Sequence, residues 1–257
     1  KIMRLHRWLL DEYKRDGSFA WGKTIVGYST LVLAIIIISG LVIWYPRNRK
    51  ALKNRFKIRT KAGWFRFLYD LHVSGGFYAA LLLLILALTG LTWSFGWYRD
   101  AFYTAFGIST TSKQTHAPTS AVPQKTAGER GSKKHPKTDY TQWSEVLADL
   151  QSRYPEYKSI SIQDGSATVS TAAYGNTRGS DRYSFDPATG KITEIQLYKD
   201  LPKSAKIRGW IYSVHAGTWG GLTTRILSCL VSLLGAVFAI TGYYFWIKKK
   251  LRKSKQR

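Results

Sequence analysis

The sequence predicts a mainly α membrane protein with three transmembrane helices and one small extracytoplasmic α+β module. Three observations carry this. First, residues 24–46, 73–98 and 226–247 contain no Asp, Glu, Lys or Arg and are strongly apolar. Each is long enough to cross a hydrocarbon core of roughly 30 Å as a helix of about 20 residues. Second, the net charge of +24 (39 Lys and Arg against 15 Asp and Glu) is concentrated in two short segments, 47–72 with +8 and 248–257 with +7. A chain with three spans places both on the same side, and the positive-inside rule makes that side cytoplasmic. Third, residues 139–201 show helical periodicity followed by two hairpin patterns.

Residues 1–23 form an outer amphipathic segment. It opens with Leu5-His6-Arg7-Trp8-Leu9-Leu10 and passes through a polar turn, Lys14-Arg15-Asp16-Gly17-Ser18, into the first span, 24–46. Residues 47–71 form a basic cytoplasmic loop. Its end, Trp64-Phe65-Arg66-Phe67-Leu68-Tyr69, mixes aromatics with arginine in the manner of an interfacial helix. The second span is 72–98. Residues 99–138 follow as an outer linker rich in Thr, Ser, Pro, Lys and Gly and poor in apolar residues, a composition that does not bury a core. It holds His116 and His135. Residues 202–225 return from the module to the third span, 226–247, and residues 248–257 form a basic cytoplasmic tail.

Within 139–201, Trp143, Val146, Leu147 and Leu150 follow the helical spacing i, i+3, i+4, i+7, and Asp139 with Gln142 fits an N-terminal capping pair. Ile160 and Ile162, then Ala167 and Val169, alternate about Asp164-Gly165, a hairpin signal. Tyr183 and Phe185, a turn at 186–190, and Ile192, Ile195 and Leu197 mark a second hairpin. The module holds no His and no Cys, which suits binding or packing rather than catalysis; no catalytic residue is assigned.

Charge and composition also exclude readings. The basic runs 47–50 and 248–250 abut span ends, where topology and anionic lipid account for them, so no nucleic-acid partner is expected. The single cysteine, Cys229, lies inside the third span and permits no intrachain disulfide or CxxC chemistry. No charged residue inside a span marks a transport pathway. The chain opens at Lys1 without a methionine or signal peptide, and its true N-terminus is expected upstream.

Three of the five histidines sit at membrane edges: His6 before the first span, His72 where the second leaves the cytoplasm, and His215 where the chain approaches the third. The topology puts His6 and His215 at the outer leaflet and His72 at the inner. Each can be an interfacial amphipath, a proton relay, or an axial haem ligand. Haem needs small residues beside its ligand. Gly75 and Gly76 follow His72, and Gly217, Gly220 and Gly221 follow His215, with Trp8, Phe77, Tyr78 and Trp219 as aromatic neighbours. Ser39-Gly40, Thr89-Gly90 and Thr241-Gly242 recur near the C-terminal ends of the three spans, each followed by a Trp. Ordinary helix packing is the first reading of that recurrence.

The order of these pieces resembles the PepSY-associated transmembrane helix proteins, iron-regulated bacterial inner-membrane proteins that include haem-containing siderophore reductases. The resemblance rests on Leu5-His6-Arg7-Trp8-Leu9, Gly22 to Gly27, and Gly40 to Pro46. It continues with Tyr69-Asp70-Leu71-His72 and Gly76-Phe77-Tyr78, Leu88 to Trp93, and Val214-His215-Ala216-Gly217-Thr218-Trp219-Gly220. The hairpin Phe185-Asp186-Pro187-Ala188-Thr189-Gly190-Lys191 looks like that of a PepSY module. The resemblance implies four spans and two haem b groups, each held by two histidines. It implies His6 and His215 as the iron ligands of an outer haem and His72 as one ligand of an inner haem. The inner partner histidine, the first helix and the first outer domain are not in this chain; a homodimer is another way to complete the sites. The implied function is transmembrane electron transfer from a cytoplasmic donor to a ferric siderophore or similar iron chelate in the periplasm, for iron uptake. The alternative is a non-enzymatic membrane anchor whose PepSY-like module binds a peptidase or a component of an uptake system. Membrane lipid is the third partner expected.

Overall fold

The computed structural model describes residues 1–11, 19–46, 52–53, 55–108, 140–171 and 175–254. Most of the linker, including His116 and His135, together with Asp139, the turn at 14–18 and the basic run 47–50, lies outside the described residues. The helices are α1 (Ile2–Trp8), α2 (Trp21–Trp44), α3 (Trp64–Asp70), α4 (Gly76–Ser94), α5 (Gly96–Ala105), α6 (Trp143–Arg153), α7 (Lys203–His215) and α8 (Gly221–Ser254). The strands are β1 (Ser159–Gln163), β2 (Ser166–Ser170), β3 (Asp181–Phe185) and β4 (Ile192–Gln196).

Three helical stretches are long and apolar enough to cross a membrane: Trp21–Trp44, Trp64–Ser94 and Gly221–Arg252. Their large apolar side chains point outward: Ile43 is 77% exposed, Ile240 70% and Leu81 68%. A water-facing helix would bury such a stripe, so these surfaces are built to meet lipid. Small residues carry the inter-helix contacts instead. Ala34, Ala79, Ala80 and Ala87 are all buried, which lets α2 pack on α4 and α4 on α8.

Residues 1–99 and 211–257 form one compact unit and residues 100–210 another. In the first, the second membrane helix is not uniform. Between α3 and α4 the backbone makes a π-helical turn over Leu71–Gly75, and His72 lies in it. Ser74, 1% exposed, donates from this turn to the carbonyls of Arg55 (2.6 Å) and Lys57 (3.2 Å). Just before the turn, buried Asp70 accepts the Arg59 backbone N–H at 3.1 Å and pairs with Arg66 at 3.0 Å. The loop ahead of α3 is thereby tied to the turn. Arg55 also donates to the carbonyls of Ile43 and Trp44, satisfying the free end of α2. At the same end of the unit, Lys248 lies 3.9 Å from the Phe65 ring centre, a cation–π contact suited to an interface.

In the second unit, β1 to β4 form an antiparallel meander in sequence order. Gln163 pairs with Ser166 across Asp164-Gly165, where Gly165 takes a φ of 70°. The β3–β4 turn is closed by Asp186, which accepts from Ala188 N–H and Thr189 O–H; these bonds hold its carboxyl below the usual range. Helix α6 lays Val146 and Leu150 on Ala167, Val169, Tyr183 and Phe185 to make the core. The capping geometry differs from that expected. Gln142 itself stands at the N-cap of α6 and makes no side-chain cap bond. Its side chain instead lies against Gly190 of the second hairpin.

Candidate functional site

The site lies in the membrane unit. Helix α1 carries His6 in its last turn. Gly22, near the start of α2, makes room for α1: a Cβ there would come within 1.8 Å of the Trp8 carbonyl oxygen. The Gly22 N–H also donates to Asp11 at 3.1 Å. So positioned, the His6 ring centre stands 6.0 Å from that of His215, with the planes 39° apart. Trp93 flanks His215 at 5.1 Å.

His215 closes α7 and is seated on α4. Its Nδ1 lies 3.0 Å from the Leu86 carbonyl oxygen and 3.1 Å from Thr89 Oγ1. Its Cε1 would be 3.1 Å from a Cβ at Gly90. Burial holds the His215 imidazole below its ordinary value, the Leu86 carbonyl opposing and nearby His6 reinforcing the effect. The neutral imidazole is the form that binds metal.

His72 repeats the arrangement at the other end of α4. Its Nδ1 lies 2.8 Å from Thr241 Oγ1, and its Cε1 would be 3.2 Å from a Cβ at Gly242. The two seats are reciprocal: the α4 pair Thr89-Gly90 holds the histidine leading into α8, and the α8 pair Thr241-Gly242 holds the one leading into α4. Seventeen residues separate His72 from Thr89, about 25 Å along a helix. The third pair, Ser39-Gly40, holds no histidine among the described residues; Ser39 bonds back to Ile36 at 2.9 Å. Gly40 lines a cavity of about 680 Å³ shared with His72, Trp44, Arg66, Phe77 and Phe238. That volume lies within the range of cofactor pockets.

These features fall inside a single match: the pattern described as the PepSY-associated TM region covers residues 1–249. The chain belongs to the PepSY-associated TM family. None of the curated proteins compared matches it. As a member of that membrane family, the chain can be tested for fit to the haem its resemblance implied. Imidazoles bound on opposite sides of one metal, with metal–nitrogen bonds of about 2 Å, set their ring centres roughly 6 Å apart. The His6–His215 separation is of that size. At the His72 cavity, Trp44 Nε1 and Arg66 Nε are buried N–H donors without acceptors among the described residues. Such donors suit a ligand that carries carboxylates. The outer pair thus has the ligand spacing that haem requires, and the inner cavity has the volume, one histidine and the donors.

Of the glycines beside the histidines, Gly76 lines the cavity with His72, while others shape the backbone. Gly217, at a φ of 65°, is backed by Ser228 and the Thr224 carbonyl, and Gly220 by Thr224, so both shape the entry to α8. Gly75 packs on Leu71 and Phe238. The glycines that face the imidazoles are Gly90 and Gly242, far from them in sequence. The recurrence of Thr-Gly was the only signal for this, and ordinary packing explains such pairs equally well.

Proposed function

We propose that this chain moves electrons across the bacterial inner membrane through bis-histidine haem b and passes them to a ferric siderophore or similar chelate on the periplasmic side. The supporting observation is the His6–His215 pair, 6.0 Å apart with His215 tied through Nδ1 to Leu86 and Thr89. Bound haem would supply a one-electron Fe³⁺/Fe²⁺ couple. His6 and His215 would hold the outer haem, and two histidine donors suit electron transfer rather than oxygen chemistry. Trp93 and the α4 seat would keep water from the His215 side. His72 would hold the inner haem with a histidine from outside the described residues, while Trp44 and Arg66 would receive carboxylates. The basic segments 47–71 and 248–257 would lie in the cytoplasm, beside the electron donor. Delivery of an electron to chelated Fe³⁺ yields Fe²⁺, which hard oxygen donors hold less tightly, and the iron is released.

Intact protein from haem-replete cells should carry haem b by pyridine haemochrome assay and show sharp low-spin bands on reduction. A colourless, membrane-inserted protein overturns the reading and leaves the anchor role. Replacing His215→Ala should remove the outer haem while insertion persists. Unchanged haem content would reject that ligand.

A further inference from the structure

We propose that Thr89 and Thr241 are positioning residues that lock His215 and His72 in the Nδ1–H tautomer, leaving Nε2 unprotonated as the metal-binding nitrogen. The argument is a count of hydrogens. A threonine hydroxyl has one proton to donate and lone pairs to accept with. Thr241 lies 2.8 Å from the Val237 carbonyl and 3.3 Å from that of Phe238, acceptors that can only take its proton. At 2.8 Å from His72 Nδ1, the same oxygen therefore accepts, and the proton of that bond belongs to the imidazole. Thr89 follows the same rule, lying 2.7 Å from the Ile85 carbonyl and 3.1 Å from that of Leu86. His215 Nδ1 faces the Leu86 carbonyl as well, and a carbonyl accepts only. In each seat the neutral ring thus carries its proton on Nδ1. Gly90 and Gly242 let the ring edge approach closely enough for the bond to form.

A back-bonded Nδ1–H makes the opposite nitrogen a stronger donor, and successive hydrogen bonds reinforce one another. A stronger axial donor favours Fe³⁺ over Fe²⁺. The threonines therefore also set the potential of the haem. The seats differ: His215 keeps a second acceptor in Leu86, whereas Thr241 is the acceptor recorded at His72 Nδ1. Loss of Thr241 should have the larger effect.

The tautomer claim stands on the apoprotein; the potential claim rests on the haem reading above. In haem-stripped full-length protein with ¹⁵N-labelled histidine, His72 and His215 should both read as Nδ1–H. Thr241→Val should convert His72 to a tautomer mixture or to Nε2–H, and Thr241→Ser should restore the wild-type pattern. His72 as Nε2–H in the wild type, or still wholly Nδ1–H in Thr241→Val, overturns the proposal. In haem-loaded protein, Thr241→Val should raise the midpoint of the haem bound at His72, and Thr89→Val should raise that at His215 by less. A tenfold loss of ferric preference reads as about 59 mV for a one-electron couple. Retained haem with unmoved midpoints overturns the potential claim. Absence of haem from the wild type overturns the haem reading and leaves the NMR result to judge the tautomers.

Discussion

At the scale of single residues, the site depends on what is missing from Gly90 and Gly242. A Cβ at either would stand 3.1 or 3.2 Å from the Cε1 of its histidine, closer than ordinary van der Waals contact. The ring would have to yield by a few tenths of an ångström, and a hydrogen bond of 2.8 Å does not stretch freely by that amount. Gly242→Ala should therefore weaken the bond between His72 and Thr241 without disturbing helix α8, where alanine is the better helix former by about 1 kcal/mol. Gly90→Ala should do the same to His215. The expected outcome is normal membrane insertion with reduced haem retention at the affected site, measured as haem per polypeptide. Gly40→Ala is the control: a Cβ there meets nothing within 4 Å, and haem retention at His215 should be unchanged.

At the scale of elements, α6 and its sheet are held by a half-buried polar knot as well as by their apolar core. The Tyr154 hydroxyl lies 2.6 Å from Asp181 and 2.6 Å from the Tyr183 hydroxyl, while Asp181 also accepts the Tyr198 N–H at 2.6 Å. Burial, followed by these bonds to Asp181 and Tyr183, pushes the Tyr154 phenol far above its ordinary value. A raised phenol pKa means that above about pH 10 the unfolded chain releases a proton that the folded one keeps. Stability of the module should thus fall as pH rises past 10, and Tyr154→Phe should flatten that decline. The variant should cost about 1 kcal/mol at neutral pH through the lost hydrogen bond. Thermal melts followed by near-ultraviolet dichroism between pH 8 and 11 test this. Parallel slopes for the two proteins would refute it.

The module and the spans were readable from local signals. Asp164-Gly165 between alternating runs sufficed for the first hairpin, and charge-free runs of 22 to 26 residues sufficed for the membrane helices. The seats were not readable in this way. Thr89 and His215 are 126 positions apart, and Thr241 and His72 are 169 apart. No periodicity joins residues at such separations. The π-helical turn was equally hidden, because nothing in the residue types of Leu71–Gly75 distinguishes a π-turn from an α-turn. Adjacency in sequence pointed to the glycines beside each histidine, and Gly90 and Gly242, which face the imidazoles from other helices, carry no such local mark.

For the whole molecule, the unit formed by residues 100–210 is inserted in sequence between the second and third membrane helices. Only these two helices flank that unit in sequence, and in a chain with three spans its side of the membrane fixes the sides of His6, His72 and His215. In the proposed orientation it lies outside the cytoplasm. The single cysteine makes this straightforward to check. In a Cys229→Ser background, Ser161→Cys in β1 should react with an impermeant maleimide on intact spheroplasts, and Ser254→Cys at the end of α8 only after permeabilisation. The reverse pattern would invert the assignment of inner and outer sites.

The π-helical turn at Leu71–Gly75 has a consequence for how the protein tolerates change in length. An α-helix advances by roughly 100° per residue, and a π-turn accommodates one residue more than the regular screw allows. Removing one residue from this turn would let the helix relax to a uniform α-helix with α3 and α4 still in phase, whereas removing one from the regular part of α4 would rotate the segments on either side by about that angle. The turn is thus the place where this helix tolerates a change of one residue, while the seventeen-residue spacing from His72, which meets α8, to Thr89, which meets His215 at the end of α7, does not.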